Sequence, residues 1–192
     1  MRKTLTVALD IGNVCVRLEY ENVFRAAGLE PGSALPEDAD RAFCELECGR
    51  IETEEWLDVL WNSLGRRFSK EHLLNGWNSI LAEPFPGVEK YIRKYTESGV
   101  KFVYLSDISR LHLSKVCRML PFAHLIYDGV YSFEAGVRKP GAAMYELFEK
   151  RHGVPDFYFD DKLCNIEGAR KRGWNAIQFT HAEQLDLIGD AL

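Results

Sequence analysis

The 192-residue sequence contains no run approaching the ~18 consecutive apolar residues that a membrane-spanning helix needs. It has no surplus of positive charge: 24 Lys and Arg stand against 29 Asp and Glu, a net charge of −5. With both signs scattered along the chain, the general attraction required by nucleic acid or an anionic membrane surface is missing. The five cysteines (Cys15, Cys44, Cys48, Cys117, Cys164) form an odd, dispersed set without a C-x-x-C pair. That pattern fits reduced thiols in a cytoplasm rather than a disulfide framework. Cys44 and Cys48 are about one helical turn apart, but without a second ligand pair nearby they read as small apolar residues, not as a zinc site. The charges of Met1-Arg2-Lys3 precede an apolar stretch that Asp10 breaks and that has no small-residue cleavage site, which argues against a secretory signal. The G-x-S-x-G elbow of serine hydrolases, the G-x-x-x-x-G-K-[ST] phosphate loop and the G-x-G-x-x-G dinucleotide fingerprint are all absent. The five histidines are dispersed and read as structural or surface residues. A small molecule or another protein remains as the partner.

With 46% hydrophobic residues the chain can fill one substantial domain plus a modest insertion. Leu5 to Asp10 is a short apolar run ending in a carboxylate, followed by Gly12-Asn13, and reads as a buried strand entering a turn. The same grammar returns at 101–107, ending in Ser106-Asp107, and at 157–161, ending in Asp160-Asp161; 175–179 closes the series. Helical spacing fills the intervals 87–98, 109–119, 141–152 and 165–172. Alternating strands and helices predict an α/β fold, a doubly wound parallel sheet covered on both faces. Chemistry on such sheets sits at the carboxyl ends of the strands, where Asp10, Ser106, Asp160 and Asp161 fall. Residues 17–86 differ. They show helical spacing at 38–48, 53–64 and 69–81, no convincing strand, and three of the four tryptophans, Trp56, Trp61 and Trp77. About seventy residues exceed a single crossover helix, so 17–86 are read as an inserted helical cap and 1–16 with 87–192 as the core. The tryptophans are expected to fill the cap's own core rather than to cradle a substrate.

Asp10, Asp160 and Asp161 brought together would repel, so a proton or a divalent cation must compensate. Hard oxygen ligands favour Mg2+. An Asp carboxylate can also attack phosphorus, with the metal and Lys139 screening the approach of two anions. Ser106 and the backbone N–H groups after it are suited to hold a phosphate oxygen.

Asp10-Ile11-Gly12-Asn13-Val14, Leu105-Ser106-Asp107, Lys139-Pro140 and Asp160-Asp161 with Asn165 beyond them resemble the four motifs of the haloacid dehalogenase (HAD) superfamily of hydrolases. The insertion sits where members with a helical cap after the first motif carry theirs, and Gly49-Arg50-Ile51-Glu52-Thr53-Glu54-Glu55-Trp56 resembles the start of a cap helix. The wording Asp-Ile-Gly-Asn-Val is similar to a sugar-phosphate phosphatase branch that includes α-D-glucose-1-phosphate phosphatases. The resemblance implies Asp10 as nucleophile and metal ligand, with Ser106 and Asp107 binding the phosphoryl group. It implies that Lys139 neutralises Asp10 and phosphate. Asp161 would be a direct Mg2+ ligand, Asp160 a direct or water-mediated one, and the Gly12 carbonyl would complete the shell. Asn165 either supports this site from behind or simply caps its helix. Arg138 is expected to be a solvated neighbour of Lys139 rather than a phosphate contact.

Most phosphatases of the superfamily carry a second aspartate two residues after the nucleophile, where this chain has Gly12. Its loss removes acid and base assistance worth ~10²–10⁴ in rate. Three readings stay open: a leaving group that needs little protonation, such as an anomeric sugar phosphate or an acyl phosphate; a proton from Asp107, a cap side chain or water; or a catalytically impaired phosphate-binding protein. A haloacid dehalogenase also lacks the second aspartate, but it needs no Mg2+ and lacks the full acidic pair of Asp160-Asp161. A phosphoacceptor signalling domain uses similar residues, but is shorter, places its acidic pair before the acceptor and has no large cap.

Overall fold

A computed structural model describes residues 4–192; the charged Met1-Arg2-Lys3 considered above as part of a leader lies outside the described residues. Five parallel strands form the central sheet. These are β1 (Thr6–Leu9), β4 (Lys101–Ser106), β5 (Asp128–Tyr131), β6 (Phe157–Asp160) and β7 (Ala176–Gln178), in the order β5-β4-β1-β6-β7. β1, β4 and β6 are near-continuous apolar runs, as strands covered on both faces must be. Successive side chains go to opposite faces. Val7, Leu9, Phe102 and Tyr104 pack beneath α5 (Val88–Glu97) and α6 (Arg110–Met119). Ala8, Val103, Leu105 and Tyr158 pack against α8 (Ala142–His152) and α9 (Leu163–Arg170). Leu9 pairs in register with Tyr104 on one side and Phe159 on the other, so Asp10, Ser106 and Asp160 end three adjacent strands at one edge.

Between β1 and β4 the chain makes α1 (Glu21–Ala26), α2 (Glu37–Glu47), α3 (Thr53–Ser63) and α4 (Lys70–Asn78). These share a separate core in which Trp56, fully buried, meets Trp77 at 4.5 Å between ring centroids, with Leu60 and Leu73 around them. Two short strands here depart from the sequence reading. β2 (Val16–Leu18) and β3 (Leu81–Pro84) form an antiparallel ribbon where the chain leaves and re-enters the sheet region. Leu81-Ala82-Glu83-Pro84 has no alternation and ends in proline, so it carries no strand signal of its own; the ribbon arises because the outgoing and returning chains run side by side. The edge strand β5 is short and contains Asp128 and Gly129, both poor strand formers, so it too carries no strand signal.

The end of α2 is fixed onto the core. Ser132, opening the short α7 (Ser132–Ala135), donates its hydroxyl to the Glu47 carbonyl at 2.6 Å and accepts the Ile108 N–H at 3.0 Å. Gly49 then turns with φ +67°, and a Cβ placed on it would lie 2.2 Å from the Phe133 carbonyl oxygen. Gly49→Ala is therefore expected to destabilise by about 1–3 kcal/mol from backbone strain alone, with the clash adding to it. Thermal unfolding measures the loss; an unchanged midpoint would contradict this packing.

Candidate active site

Asp10 directly follows β1 and is buried, its Oδ1 accepting the Ile11 N–H at 2.7 Å. Lys139, in the loop between α7 and α8, extends its ammonium into the same space with 1% of the side chain exposed. Its Nζ lies 3.1 Å from Asp10 Oδ1 and donates to Asp160 Oδ2 at 2.7 Å and the Leu105 carbonyl at 2.8 Å. Asp160 ends β6 with no exposure. Its Oδ2 also takes the Tyr158 hydroxyl, and Asn165 Nδ2 reaches Oδ1 and Oδ2 at 3.0 and 3.1 Å. The Lys162 N–H adds a bond to Oδ1 at 2.9 Å. Asn165 is thus no helix cap. It is the third residue of α9, its side chain is spent on Asp160, and Lys162 holds the cap position.

Asp161, half-buried, accepts from Asn13 Nδ2 at 3.0 Å. Asn13 sits in the left-handed region at φ 51° and its Oδ1 takes the Leu18 N–H at 3.0 Å, so the turn after Gly12 is what presents it to Asp161. Ser106 ends β4 and is buried; Asp107 follows, its Oδ1 accepting the Lys139 N–H at 2.9 Å. Asp107 therefore positions the Lys139 backbone. The structure brings Asp10, Gly12, Asp107, Lys139, Asp161 and Asn165 around one cavity of about 60 Å³, and Asp160 is bonded to Lys139 and Asn165 of that lining. Ser106 opens onto an adjoining cavity of about 50 Å³, also lined by Gly12 and Asp107.

Asp10, Asp160 and Asp161 each offer a carboxylate oxygen within 4.8 Å of the others, the sole such convergence of potential metal ligands among the described residues. One ammonium cannot offset three carboxylates. Burial is the largest influence on Asp10 and pushes its carboxyl up to about 7, against the pull of Lys139 and with added repulsion from Asp160. Burial also opposes charge on Asp160, but Lys139, Tyr158 and the Lys162 N–H together hold it below the usual carboxylate range. Burial acts to lower Lys139 as well, and the two carboxylates overcome it and raise it. A divalent cation would remove the charge excess. The donor set, all oxygen and already clustered, fits a hard ion such as Mg2+. Asp10, Asp160 and Asp161 could hold it, and Gly12 lines the same cavity.

Several lining residues had no sequence signal. Arg138 is not a solvated neighbour: its side chain is 32% exposed, its Nε lies 3.0 Å from Glu47 Oε2, and its guanidinium lies over the Phe43 ring at 5.8 Å. Glu47, from the last turn of α2, borders both cavities. The one available hint was its position, since a carboxylate at a helix C-terminus faces the negative end of the dipole. Tyr20, Phe43, Trp77 and His112 add an aromatic wall. His112 stacks on Trp77 at 4.7 Å, and burial lowers its ring to about 4, so it is neutral near pH 7. Cys15 packs fully buried in the core, and Cys44 and Cys48 belong to no metal cluster among the described residues.

No family model matches the chain. Solved structures do. A HAD family enzyme from Bacteroides thetaiotaomicron in its magnesium complex superposes with TM-score 0.81 at 20% identity, over 98% of this chain and 99% of that one. The same enzyme in complex with magnesium and inorganic phosphate gives 0.78 at 20% identity, over 93% and 95%. An L-2-haloacid dehalogenase from Xanthobacter autotrophicus gives 0.65 at 13% identity, over 97% and 83%. The chain thus has the α/β fold of the HAD enzymes. Among the described residues, no helix is long and apolar enough to cross a membrane.

Proposed function

We propose that this HAD-fold chain is a Mg2+-dependent phosphoric monoester hydrolase for a small phosphorylated metabolite, acting through an aspartyl phosphate on Asp10. The observation that carries the reading is the convergence of Asp10, Asp160 and Asp161 at the carboxyl edge of the sheet, the first two paired with one buried lysine. When bound, Mg2+ would supply positive charge where two anions must meet. Asp10, already oriented by the Ile11 N–H and Lys139, places a carboxylate oxygen at the floor of the cavity for attack on phosphorus. Ser106 and the N–H groups after it bind a phosphoryl oxygen, and Lys139 screens Asp10 from the incoming dianion. Residues 17–86 serve as a cap that excludes bulk water and selects the leaving group, over a core of 1–16 and 87–192. Five free cysteines agree with a cytoplasmic setting. The neighbour crystallised with magnesium and inorganic phosphate supports the phosphoryl assignment.

The wording of the first motif favours a sugar phosphate, whose anomeric leaving oxygen is easier to expel than an ordinary alkoxide. A dehalogenase shares the fold and the missing carboxylate at Gly12, but the acidic pair Asp160-Asp161 favours the metal-dependent reaction. A phosphate-binding protein without turnover is the other reading that Gly12 favours. Phosphate release is expected in Mg2+, to be lost on chelation with EDTA and restored by adding Mg2+ back. Asp161→Asn should require far more Mg2+ and should lose the rise in thermal midpoint that Mg2+ gives the wild type. Activity surviving complete chelation would contradict the metal assignment, and stoichiometric phosphate binding with no release would favour the binding protein.

A further inference from the structure

Loss of the second aspartate at Gly12 is more than an absent side chain. A Cβ built on Gly12 would lie 2.7 Å from Leu18 Cδ1, so the space beside the nucleophile where that carboxyl would start is filled by leucine. Asp107 borders both cavities too, but its Oδ1 takes the Lys139 N–H, which ties this carboxyl to the lysine backbone. Across the cavity from Asp10, however, stands another carboxyl. We propose that Glu47 protonates the leaving oxygen and afterwards accepts the proton of the attacking water, so that a cap residue does the work of the missing core aspartate.

Three observations support this. Glu47 lines both the cavity over Asp10 and the adjoining one over Ser106, so its carboxyl borders the space that a phosphate on Asp10 and its leaving group must share. The side chain is 12% exposed, and Oε2 lies 3.0 Å from Arg138 Nε without the alignment of a hydrogen bond, so the contact orients the carboxyl without consuming it. Its backbone is pinned to the core through Ser132, which fixes its height above the strand ends. The electrostatics agree. Burial is the largest influence and raises the carboxyl to about 7; Arg138 and Lys162 lower it, while Asp107 and Asp10 raise it, and Tyr20 stands nearby. A group balanced near neutral pH can give and take a proton.

The step balances. The Asp10 carboxylate forms a bond to phosphorus, the bond from phosphorus to the leaving oxygen breaks, and that oxygen takes the Glu47 proton, giving an alcohol, aspartyl phosphate and Glu47 carboxylate. Water then attacks phosphorus, its proton goes to Glu47, and the bond from phosphorus to Asp10 breaks to release inorganic phosphate.

This assignment rests on the phosphatase reading, and its test separates the two. Wild type, Glu47→Gln and Glu47→Asp are assayed in Mg2+ against ethyl, phenyl, 4-nitrophenyl and acetyl phosphates, a series of increasingly good leaving groups. Glu47→Gln should lose about 10²-fold or more in kcat/KM on ethyl phosphate and less than about 3-fold on acetyl phosphate, with Glu47→Asp recovering part of the loss. An equal loss on all four substrates, or no loss, in folded variants overturns the role of Glu47 alone. A wild type inert toward all four phosphates overturns the phosphatase reading and the role of Glu47 with it.

Discussion

Asp10→Asn is expected to lower phosphate release by at least about 10³-fold while leaving the chain folded and, without metal, more stable than wild type. The first effect follows from the chemistry: an amide at the floor of the cavity cannot attack phosphorus. The second follows from the surroundings. Asp10 is buried beside Asp160 and Asp161, and its carboxyl is raised from 3.8 to about 7, so the folded state prefers it protonated. A carboxyl shifted upward gives stability that is fully present below its unfolded value and is lost as pH rises through the folded one. The wild type in EDTA should therefore lose stability between about pH 4 and 7 on account of this group. Asp10→Asn keeps the hydrogen-bonding shape without the charge, so its advantage in thermal midpoint should be small at pH 5 and larger at pH 8. An Asn variant that unfolds at lower temperature than wild type at pH 8 would show that Asp10 is held as a stabilising anion instead.

The opposite outcome is expected for the lysine. Lys139→Ala removes the single ammonium placed between Asp10 and Asp160 and leaves Asp160, with no exposure, facing its neighbours uncompensated. Breaking a buried ion pair from one side costs about 3–5 kcal/mol, because the partner's charge remains buried. For a chain of this length that is a fall in midpoint of about 10 °C. The loss should be partly repaired in the double variant Lys139→Ala with Asp160→Asn, which removes the stranded charge. Additive effects of the two substitutions would contradict the coupling read from the 2.7 Å contact.

The central strands were legible because burial on both faces demands uninterrupted apolar runs, and each is closed by a polar residue, Asp10 just after β1, Ser106 ending β4 and Asp160 ending β6. The carboxylate cluster is legible from the same punctuation, since parallel strands bring their ends to one edge. What escaped were contacts set by the return of the chain. β3 forms only because β2 lies beside it, β5 is a short edge strand with a glycine, and the Glu47–Arg138 pair joins residues 91 positions apart whose meeting depends on where α2 comes to rest. Arg138 read as solvated because nothing local shows that a helix will cover it. Asn165 was ambiguous because an asparagine near a helix start serves equally as a cap, and only the third-residue placement, aimed at Asp160, separates the two.

The proposed reaction requires that Asp10 carry the phosphoryl group. Rapid acid quench of the wild type with acetyl phosphate and Mg2+ during the first turnover, followed by peptide mass spectrometry, tests it most directly. Phosphate on the peptide containing Asp10, absent in Asp10→Asn and absent in EDTA, is the predicted result. Phosphate release from the wild type with that peptide unmodified at every quench time, together with undiminished turnover by Asp10→Asn, would contradict it.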